Sequence, residues 1–557
     1  MGRDLNQRLK HGKYRWPLLL LFLKEIRAFM KLRKGFLSLK SFFFLLLGVA
    51  VLMLSAHLGL PPLWGGEGRW AVIARSMLRS GDLLSPALGI QNYWDKPLLS
   101  YWQILPLAYI HGDVSEFVAR FPSFVWAMVM LLLTYDLAKR WFGEQTALMS
   151  MGIFATTYGF VFWGRNAQVE MTNAAAILLC LWYFLKHKSD RSYTWVYVLS
   201  IMMALGSNMK GLLVYTVPFF CIVLLSAIKR DWSWIPPLRV LVTSCLLSLA
   251  VFLAIPVIAS IRLATWEPLH MVWRENVLRF FGLHDHPGSF STYFVNVFYL
   301  AAPWSLLLPA AVAHSVQVAR RRVSQIPEVL ILFGAIFLFF NLSGSKRGYY
   351  LLPILPFAAI LVANLLREFA VGMPGRVIQG VMRGVGILLG FALIAIFGIF
   401  LLLPQIFPAG AATLGSASVL LALLGATMIT STIKKYVWGM IGSATAVWLI
   451  YVIGVIPLIA EGPNLKTKVA EVSALGKSCG FLNIHDAKLR FYWDKPYQVF
   501  YDEIHALEWA TQADGVLITS SPVSDQSWES VVKSRQWQAV IPRKVRPLEQ
   551  LPAIPDG

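Results

Sequence analysis

The sequence carries little charge for its length. Only 14% of its 557 residues are Asp, Glu, Lys or Arg, whereas 57% are hydrophobic. A soluble domain carries about 25% charged residues, so this chain cannot cover a water-facing surface of its own size. Its apolar residues occur in long runs, and runs of about 18 or more have the length of bilayer-spanning helices. The composition excludes an ordinary soluble protein and predicts an integral membrane protein.

Acidic residues are scarce relative to basic ones. The chain has 29 Asp and Glu against 50 Lys and Arg, a formal net charge of +21. The basic residues occur in short clusters between apolar runs, which is typical of topology signals, whereas a nucleic-acid-binding protein shows a continuous basic face. We therefore expect membrane lipid as a partner and no nucleic acid.

Cysteine and nucleotide-binding motifs are also lacking. The four cysteines show no spacing typical of a metal site, a redox pair or a disulfide framework. No Walker or dinucleotide-binding glycine motif occurs between a predicted strand and a helix. The cysteine spacing argues against a metal or redox site built from cysteines. The absence of the glycine motifs argues against an enzyme that uses a nucleotide directly.

The N-terminal segment does not resemble a cleavable signal peptide. Residues 1–40 hold eleven Lys and Arg against two acids, around a broken apolar stretch. A signal peptide has a shorter basic region and a small-residue cleavage site after its apolar core. We predict a cytoplasmic basic arm that is partly an interfacial helix beside anionic lipid.

Hydropathy predicts about thirteen transmembrane helices between residues 41 and 460. The expected spans are 41–63, 117–138, 145–163, 168–186, 194–209, 211–228, 239–261, 293–313, 328–343, 349–366, 384–403, 412–430 and 437–459. If the N-terminus is cytoplasmic, every even-numbered loop should be rich in Lys and Arg, and each of them is basic. The first outward loop is 64–116, and the odd number of spans places the C-terminus outside. The prediction is a multi-pass protein of the inner or plasma membrane.

The composition becomes ordinary from about Glu461 onward. A helix-like stretch from Val469 to Lys477 precedes alternating apolar runs such as Val516–Thr519. These patterns predict a small extracytoplasmic α/β domain over 461–557.

Unusual ionisable and aromatic residues gather in or near the outward loops. Ionisable groups at membrane depth are expensive, so each is a functional candidate with a partner. Two acids are candidates, Glu67 and Glu170, with Arg165 or Lys210 as the counter-ion of Glu170. The other candidates are Arg69, Tyr93, Lys96, Arg165, Lys210, His284, His286, Lys346, Arg347, Tyr349 and Tyr350. The plainer alternatives are solvated loop charges, a Glu170 side chain that reaches water, ordinary loop histidines and interfacial aromatic belts.

This combination suits transfer of a group from a phosphate. Fixed cations hold a phosphate or pyrophosphate, and a nearby carboxylate removes a proton from an attacking hydroxyl. No nucleotide supply exists outside the membrane, so a sugar donor there would be lipid-linked. No cofactor is indicated with certainty, and a divalent metal at the first loop or His284 stays open.

Several motifs resemble one family of membrane enzymes. Glu67–Leu78 and Tyr93–Pro97 are similar to two first-loop motifs of the aminoarabinose transferase and protein O-mannosyltransferase-like superfamily. Further similar segments are Arg165–Glu170, Lys210 with Gly211 before Pro218, and Ser345–Arg347 before Tyr350 and Pro353. The resemblance covers most of residues 60–360.

The resemblance implies a GT-C fold of about thirteen spans with an extracytoplasmic active site and a polyprenyl-phosphate sugar as donor. It implies that Lys96, Arg69, Tyr93 and the segment 346–350 bind the donor phosphate. The superfamily pattern has an Asp-Glu pair in the first loop and an Asp in the second outward turn. Here the first Asp position is Gly66 and the second is Glu170. The general base is therefore either Glu170 or Glu67.

The sequence thus predicts an inverting glycosyltransferase, transferring a hexose or pentose. Its donor is a polyprenyl-phosphate-linked sugar, and its acceptor is a lipid such as lipid A, another glycan or a protein. Two rivals stay open: a transporter or flippase for an anionic lipid-linked sugar, and a non-catalytic relative. Transporters often show two similar halves and interrupted midplane helices, and this sequence shows no halves.

Overall fold

A computed structural model describes residues 38–542, with gaps at 90, 276–288, 290, 322–326, 345, 373–374, 403–410, 462–463, 485, 521–522, 524–527 and 535–536. The chain divides into two compact units, residues 1–49 and 50–557. Within the first unit the description begins at residue 38, so the predicted basic arm lies outside the described residues. The described part of that unit is the beginning of helix α1, Leu39–Ser55.

Helices dominate the described chain. The helices that follow α1 are α2 Glu67–Ser80, α3 Leu99–Trp102, α4 Leu105–His111, α5 Glu116–Phe142, α6 Glu144–Ala155, α7 Tyr158–Gly164, α8 Glu170–His187, α9 Thr194–Lys210 and α10 Leu213–Lys229. The next are α11 Leu238–Leu263, α12 Glu267–Trp273, α13 Thr292–Leu300, α14 Leu308–Arg321, α15 Glu328–Leu342, α16 Leu355–Ala370, α17 Arg376–Leu402, α18 Ala411–Ile433, α19 Val437–Leu449 and α20 Ile456–Glu461. Short 3-10 helices occupy Trp304–Leu307 and Gly348–Ile354, and a π-helix occupies Ile450–Val455.

Several described helices are long and apolar enough to cross a membrane. Five stretches meet this test by length and composition: Glu116–Phe142, Leu238–Leu263, Gly348–Ala370, Arg376–Ile396 and Val437–Ala474. The number rises to seven if each of two bent helix pairs is one span. Shorter apolar helices are Leu39–Ser55, Leu213–Lys229, Glu328–Leu342 and Ala417–Ile433.

Two of the predicted straight spans are bent. The expected span 145–163 consists of α6 and α7, which meet at 61°, because Thr157 begins a new helix by accepting the Phe160 backbone N–H with its side chain. The expected span 293–313 turns by 116° between α13 and the segment that begins at Trp304. Pro303 lies at this second break, and proline has no N–H with which to continue a helix.

The first loop is a folded unit with its own core. Helix α2 is followed by a two-stranded hairpin, β1 Ala87–Leu88 with β2 Gln91–Asn92, and then by the short helices α3 and α4. Gly81 ends α2 in the left-handed region with φ of 71°, a conformation that glycine adopts without steric cost. Buried apolar side chains from α2, α3, α4 and the start of α5 pack together, among them Trp70, Met77 and Tyr101. The loop therefore holds its polar side chains on a rigid support.

Residues 465–542, called the C-terminal region below, contain α21 Leu465–Ala474, α22 Ala487–Trp493, α23 Glu503–Gln512 and five strands. The strands are β3 Cys479–Leu482, β4 Tyr497–Phe500, β5 Val516–Thr519, β6 Trp528–Lys533 and β7 Gln538–Pro542. Their order in the sheet is β4-β3-β5-β7-β6, with β3, β4 and β5 parallel and the β7 pairings antiparallel. All residues of β3 and β5 are buried, as expected for strands covered on both faces.

Candidate functional site

A cavity of about 350 Å³ lies where the first loop meets the ends of several helices. It is lined by Arg69, Trp70, Asp95, Lys96, Glu170, Lys210, Arg274, Glu275, Arg347, Tyr349 and Tyr350. Seven of these were candidates from the sequence: Arg69, Lys96, Glu170, Lys210, Arg347, Tyr349 and Tyr350. They come from segments far apart in the chain, so the fold brings together most of the residues singled out by pattern.

Lys96 occupies one wall of the cavity between two carboxylates. Its Nζ lies 3.0 Å from Glu275 Oε2 and 3.0 Å from Asp95 Oδ1. The other Asp95 oxygen lies 2.9 Å from Arg69 Nη1, so Asp95 bridges the two cations. This bridge fixes the spacing of a Lys and an Arg, the two side chains that bind phosphate most often.

Arg69 is held positive by its surroundings. Burial acts to lower the pKa of Arg69, but the Asp95 carboxylate and the Tyr93 hydroxyl outweigh it and leave the pKa raised. Its Nη1 donates to Tyr93 Oη at 3.0 Å. Tyr93 is not among the residues that line the cavity, so it orients the Arg69 guanidinium through this hydrogen bond without itself bordering the cavity.

Glu170 and Lys210 form a second ion pair in the cavity lining. Glu170 is the first residue of α8 and Lys210 is the last residue of α9. A carboxylate at a helix N-terminus and an ammonium at a helix C-terminus both interact favourably with the helix dipoles. The two side chains are in direct hydrogen-bond contact and are almost fully buried. Lys210 Nζ also lies 5.1 Å from the ring centre of Tyr349 and 4.8 Å from that of Tyr350.

The remaining wall contains Arg274, Glu275 and Arg347. Arg274 donates a hydrogen bond to the Trp94 carbonyl and lies 3.7 Å from Glu275. Arg347 donates through Nη1 to Tyr349 Oη at 2.8 Å. Among the described residues of the lining, five cationic side chains face three carboxylates. This excess of positive charge in a partly enclosed space favours an anionic ligand.

Glu67 lies outside the cavity, in a separate buried pair with Arg120. Its Oε1 accepts Arg120 Nε at 2.8 Å and the Ala167 backbone N–H at 2.7 Å. Its Oε2 accepts Arg120 Nη2 at 2.8 Å and the Trp64 backbone N–H at 2.6 Å. A carboxylate has about four acceptor positions, and all four are used here. The two candidate acids therefore differ in position: Glu170 lines the cavity, and Glu67 does not.

The other sequence candidates occupy other places. Arg165 Nη1 donates to the carbonyls of Met53 at 2.9 Å and Leu54 at 2.8 Å, so it closes the end of α1 and is not the partner of Glu170. Lys346 Nζ donates to the Asn341 carbonyl at 2.8 Å and is not among the lining residues. His284 and His286 lie outside the described residues.

Four lining residues were not among the sequence candidates: Trp70, Asp95, Arg274 and Glu275. Asp95 had a local signal, because it lies inside the Tyr93–Pro97 motif. Arg274 and Glu275 had none; they directly follow α12 in the chain. In the parts of the chain that the structure describes, no group of three or more His, Cys, Asp and Glu side chains is placed to hold a metal ion.

Comparison with known proteins finds one family over part of this chain. Residues 95–259 match the family described as dolichyl-phosphate-mannose-protein mannosyltransferase. The undecaprenyl phosphate-alpha-4-amino-4-deoxy-L-arabinose arabinosyl transferase 2 of Proteus mirabilis is 26% identical over 312 residues, 54% of each protein. The corresponding transferase of Pseudomonas aeruginosa is 28% identical over 347 residues, 59% of this chain and 60% of the relative. The match spans little more than half the length of these curated relatives.

Solved structures extend the likeness to the fold of nearly the whole chain. The apo crystal structure of ArnT from Cupriavidus metallidurans superposes with a TM-score of 0.69 at 19% identity, covering 90% of this chain and 98% of that one. The same protein bound to undecaprenyl phosphate gives a TM-score of 0.66. These findings confirm the resemblance to the GT-C glycosyltransferase superfamily. Together with the apolar helices they confirm a mostly helical, multi-pass membrane protein.

Proposed function

We propose that this chain is an integral membrane glycosyltransferase that moves a sugar from a polyprenyl-phosphate carrier to an extracytoplasmic acceptor. The observation that carries the proposal is the cavity itself, where five cationic side chains line the same space as Glu170, a carboxylate at the start of a helix. The names of the relatives support it, since several are arabinosyl transferases that use an undecaprenyl-phosphate-linked sugar. The acceptor is lipid A, another glycan or a protein.

The cations suit the leaving group of such a transfer. In the reaction the acceptor oxygen bonds to the anomeric carbon while the bond from that carbon to the phosphate oxygen breaks. The electron pair of the broken bond stays on the polyprenyl phosphate, whose charge therefore increases. Lys96, Arg69, Lys210, Arg274 and Arg347 surround the space in which this charge would develop, and fixed charges of this kind usually make the largest contribution to catalysis.

Glu170 is the general base in this proposal. It is the candidate acid that lines the cavity, and it accepts the acceptor's proton as the oxygen attacks. Donor phosphate that binds Lys210 would draw this lysine away from Glu170 and leave the carboxylate available. Glu67 has no such opportunity, because Arg120 and two backbone N–H groups occupy its oxygens. Attack from the face opposite the leaving phosphate would invert the anomeric centre of a hexose or pentose.

The proposed topology places this cavity on the extracytoplasmic side. The alternation of basic loops supports about thirteen spans with a cytoplasmic N-terminus. The same topology puts the C-terminal region outside the membrane as an α/β domain. The proposed divisions of the chain are a cytoplasmic basic arm over 1–40, a transmembrane catalytic domain over 41–460 and an extracytoplasmic domain over 461–557.

Release of free polyprenyl phosphate tests the proposal. Purified protein in detergent would be given a panel of polyprenyl-phosphate sugars with and without candidate acceptors. We expect acceptor-dependent release by wild type, and a loss of about 100-fold or more in Lys96→Ala and Glu170→Gln. The matched controls are Lys188→Ala and Glu328→Gln, because Lys188 follows the opposite end of α8 and faces Glu328 at 3.7 Å.

Each outcome separates the proposal from its rivals. Release that requires an acceptor and survives in both controls supports the transferase. Folded protein that releases nothing with any donor, but moves a labelled lipid-linked sugar across a vesicle membrane, is a transporter. Folded protein that does neither is a non-catalytic relative.

A further inference from the structure

Helix α22 of the C-terminal region belongs to two hydrophobic cores at once. Leu489 and Trp493 are buried in the core of the C-terminal region, beside Phe481. Phe491, on the same seven-residue helix, is buried in the core of the first loop, in the cluster that contains Trp70. A helix that fills two cores couples the positions of the elements on either side of it.

The beginning of α22 packs against the beginning of α2, where Arg69 is located. A Cβ added at Gly68 would lie 2.7 Å from the Lys488 backbone nitrogen, so the two backbones touch beside Arg69. Tyr492 Oη accepts the Leu63 backbone N–H at 2.7 Å and thereby anchors the chain that enters α2. Glycine at position 68 permits this approach because it has no side chain.

The end of α22 holds the end of α2. Asp494 accepts two hydrogen bonds from Arg79, at 2.6 and 3.0 Å, in a bidentate arrangement. Arg75 donates to the Phe491 carbonyl at 2.9 Å, with its guanidinium carbon 4.0 Å from the Phe491 ring centre. Contacts from α22 and from Asp494 directly after it therefore reach α2 near its beginning, its middle and its end.

The same helix also holds the hairpin that leads to Lys96. Arg490 Nη1 donates to the Leu88 carbonyl at 3.0 Å. A Cβ at Gly89 would lie 2.7 Å from Arg490 Nη1 and from Tyr497 Oη, so both side chains pack closely on the turn. The strand β2 after this turn runs into the segment that carries Asp95 and Lys96. One short helix thus contacts both loop segments that bring cations to the cavity.

We propose that α22, together with Asp494 directly after it, positions Arg69 and Lys96 for the donor phosphate, with Arg490, Tyr492 and Asp494 as the positioning residues. This inference rests on the proposed function, because it gives the C-terminal region a role in donor binding. None of the three residues lines the cavity, so each acts through α2 or the hairpin. Arg69 and Lys96 contact the phosphate in the bound donor as well as in the transition state, so displacing them raises the donor KM in addition to lowering kcat.

The experiment compares Asp494→Arg with the charge-exchanged double variant Arg79→Asp/Asp494→Arg in the full-length protein. The Asp514→Asn variant is the matched control, because Asp514 pairs with Lys477 inside the C-terminal region and away from the loop. Two quantities are measured: amide hydrogen exchange of residues 67–80 and 87–96, and the kinetic constants for the donor. We expect Asp494→Arg to speed exchange in both segments and raise the donor KM, each by about tenfold. The double variant should restore part of both, because Arg75 also faces position 494 and Asp113 also faces position 79.

The outcomes decide the inference independently of the proposed function. Unchanged exchange in 67–80 and 87–96 for Asp494→Arg overturns the positioning role. So does faster exchange that is accompanied by a lower kcat at an unchanged donor KM, because that pattern indicates only a loss of folded enzyme. If wild type releases no polyprenyl phosphate with any donor, the proposed function fails, whereas the exchange data still decide whether α22 holds the two segments.

Discussion

Among the described residues, two buried ion pairs each join a glutamate to a basic side chain, and they differ in what surrounds them. Arg120 uses all five of its N–H donors, on both Glu67 oxygens and on the carbonyls of Leu58, Pro61 and Pro62. The pair of Glu170 and Lys210 instead borders the cavity, where neighbouring space is available to a ligand. A buried charge is therefore structural when protein atoms complete its hydrogen bonds and is a candidate for chemistry when a ligand can complete them.

Removing the carboxylate of Glu67 from its pair with Arg120 should have the largest effect, and this effect is on the stability of the folded protein. In Glu67→Gln the Arg120 guanidinium stays buried without its counter-charge, and loss of one partner of a buried pair costs about 3–5 kcal/mol. We expect poor yields of folded protein and a markedly lower unfolding midpoint, measured by thermal unfolding of the purified protein in detergent. A Glu67→Gln protein that is as stable as wild type but inactive would contradict this and return Glu67 to the role of base.

Removing Lys210 from its pair with Glu170, the pair that borders the cavity, should affect the reaction and largely spare the fold. We expect Lys210→Met to lower the turnover number by about 100- to 1,000-fold, because the leaving phosphate loses a cation. The unfolding midpoint should change far less than in Glu67→Gln, since water in the cavity can solvate Glu170. The comparison fails if Lys210→Met unfolds as readily as Glu67→Gln while the remaining folded protein turns over at the wild-type rate.

A third and smallest effect concerns the exposed ion pair between the loop and the C-terminal region. The hydrogen bonds from Arg79 lower the pKa of Asp494, against the opposing effect of burial. A carboxyl with a lowered folded-state pKa stabilises the protein fully above its unfolded pKa, about 3.9, and loses that stabilisation as the pH falls through the folded value.

We therefore expect Asp494→Asn to be less stable than wild type by under about 1 kcal/mol at pH 7, because the pair is partly exposed. This difference should shrink below about pH 4. Unfolding midpoints of the two proteins measured across this pH range provide the check. A difference that is constant with pH would show that the charge of Asp494 is not what stabilises this contact.

The sequence predicted the general architecture well and the pairing of charges poorly. Apolar length alone located most helices, because a bilayer requires long apolar runs. It could not show the bends at Thr157 and Pro303, since a short break inside an apolar run leaves the hydropathy unchanged. Alternating apolar runs such as Val516–Thr519 predicted strands near the C-terminus, and this run forms the central strand β5 of the five-stranded sheet.

The site shows the same limit more sharply. Arg165 is five residues from Glu170 and seemed as suitable a counter-ion as Lys210, yet it closes the end of α1 while Lys210 arrives from the end of α9. Proximity in the chain does not determine which helix ends meet. Arg274 and Glu275 had no local pattern at all, because their role follows from where α12 ends in space.

The internal carboxylates of the cavity have a consequence for selectivity among anions. Lys96 and Lys210 each already contact a carboxylate of the same chain, and an intramolecular partner competes at a high effective concentration. A small free anion such as inorganic phosphate gains little by displacing such a partner. A phosphate attached to a long apolar chain adds the burial of that chain to the exchange, so we expect membrane-borne phosphates to bind more tightly here than dissolved ones.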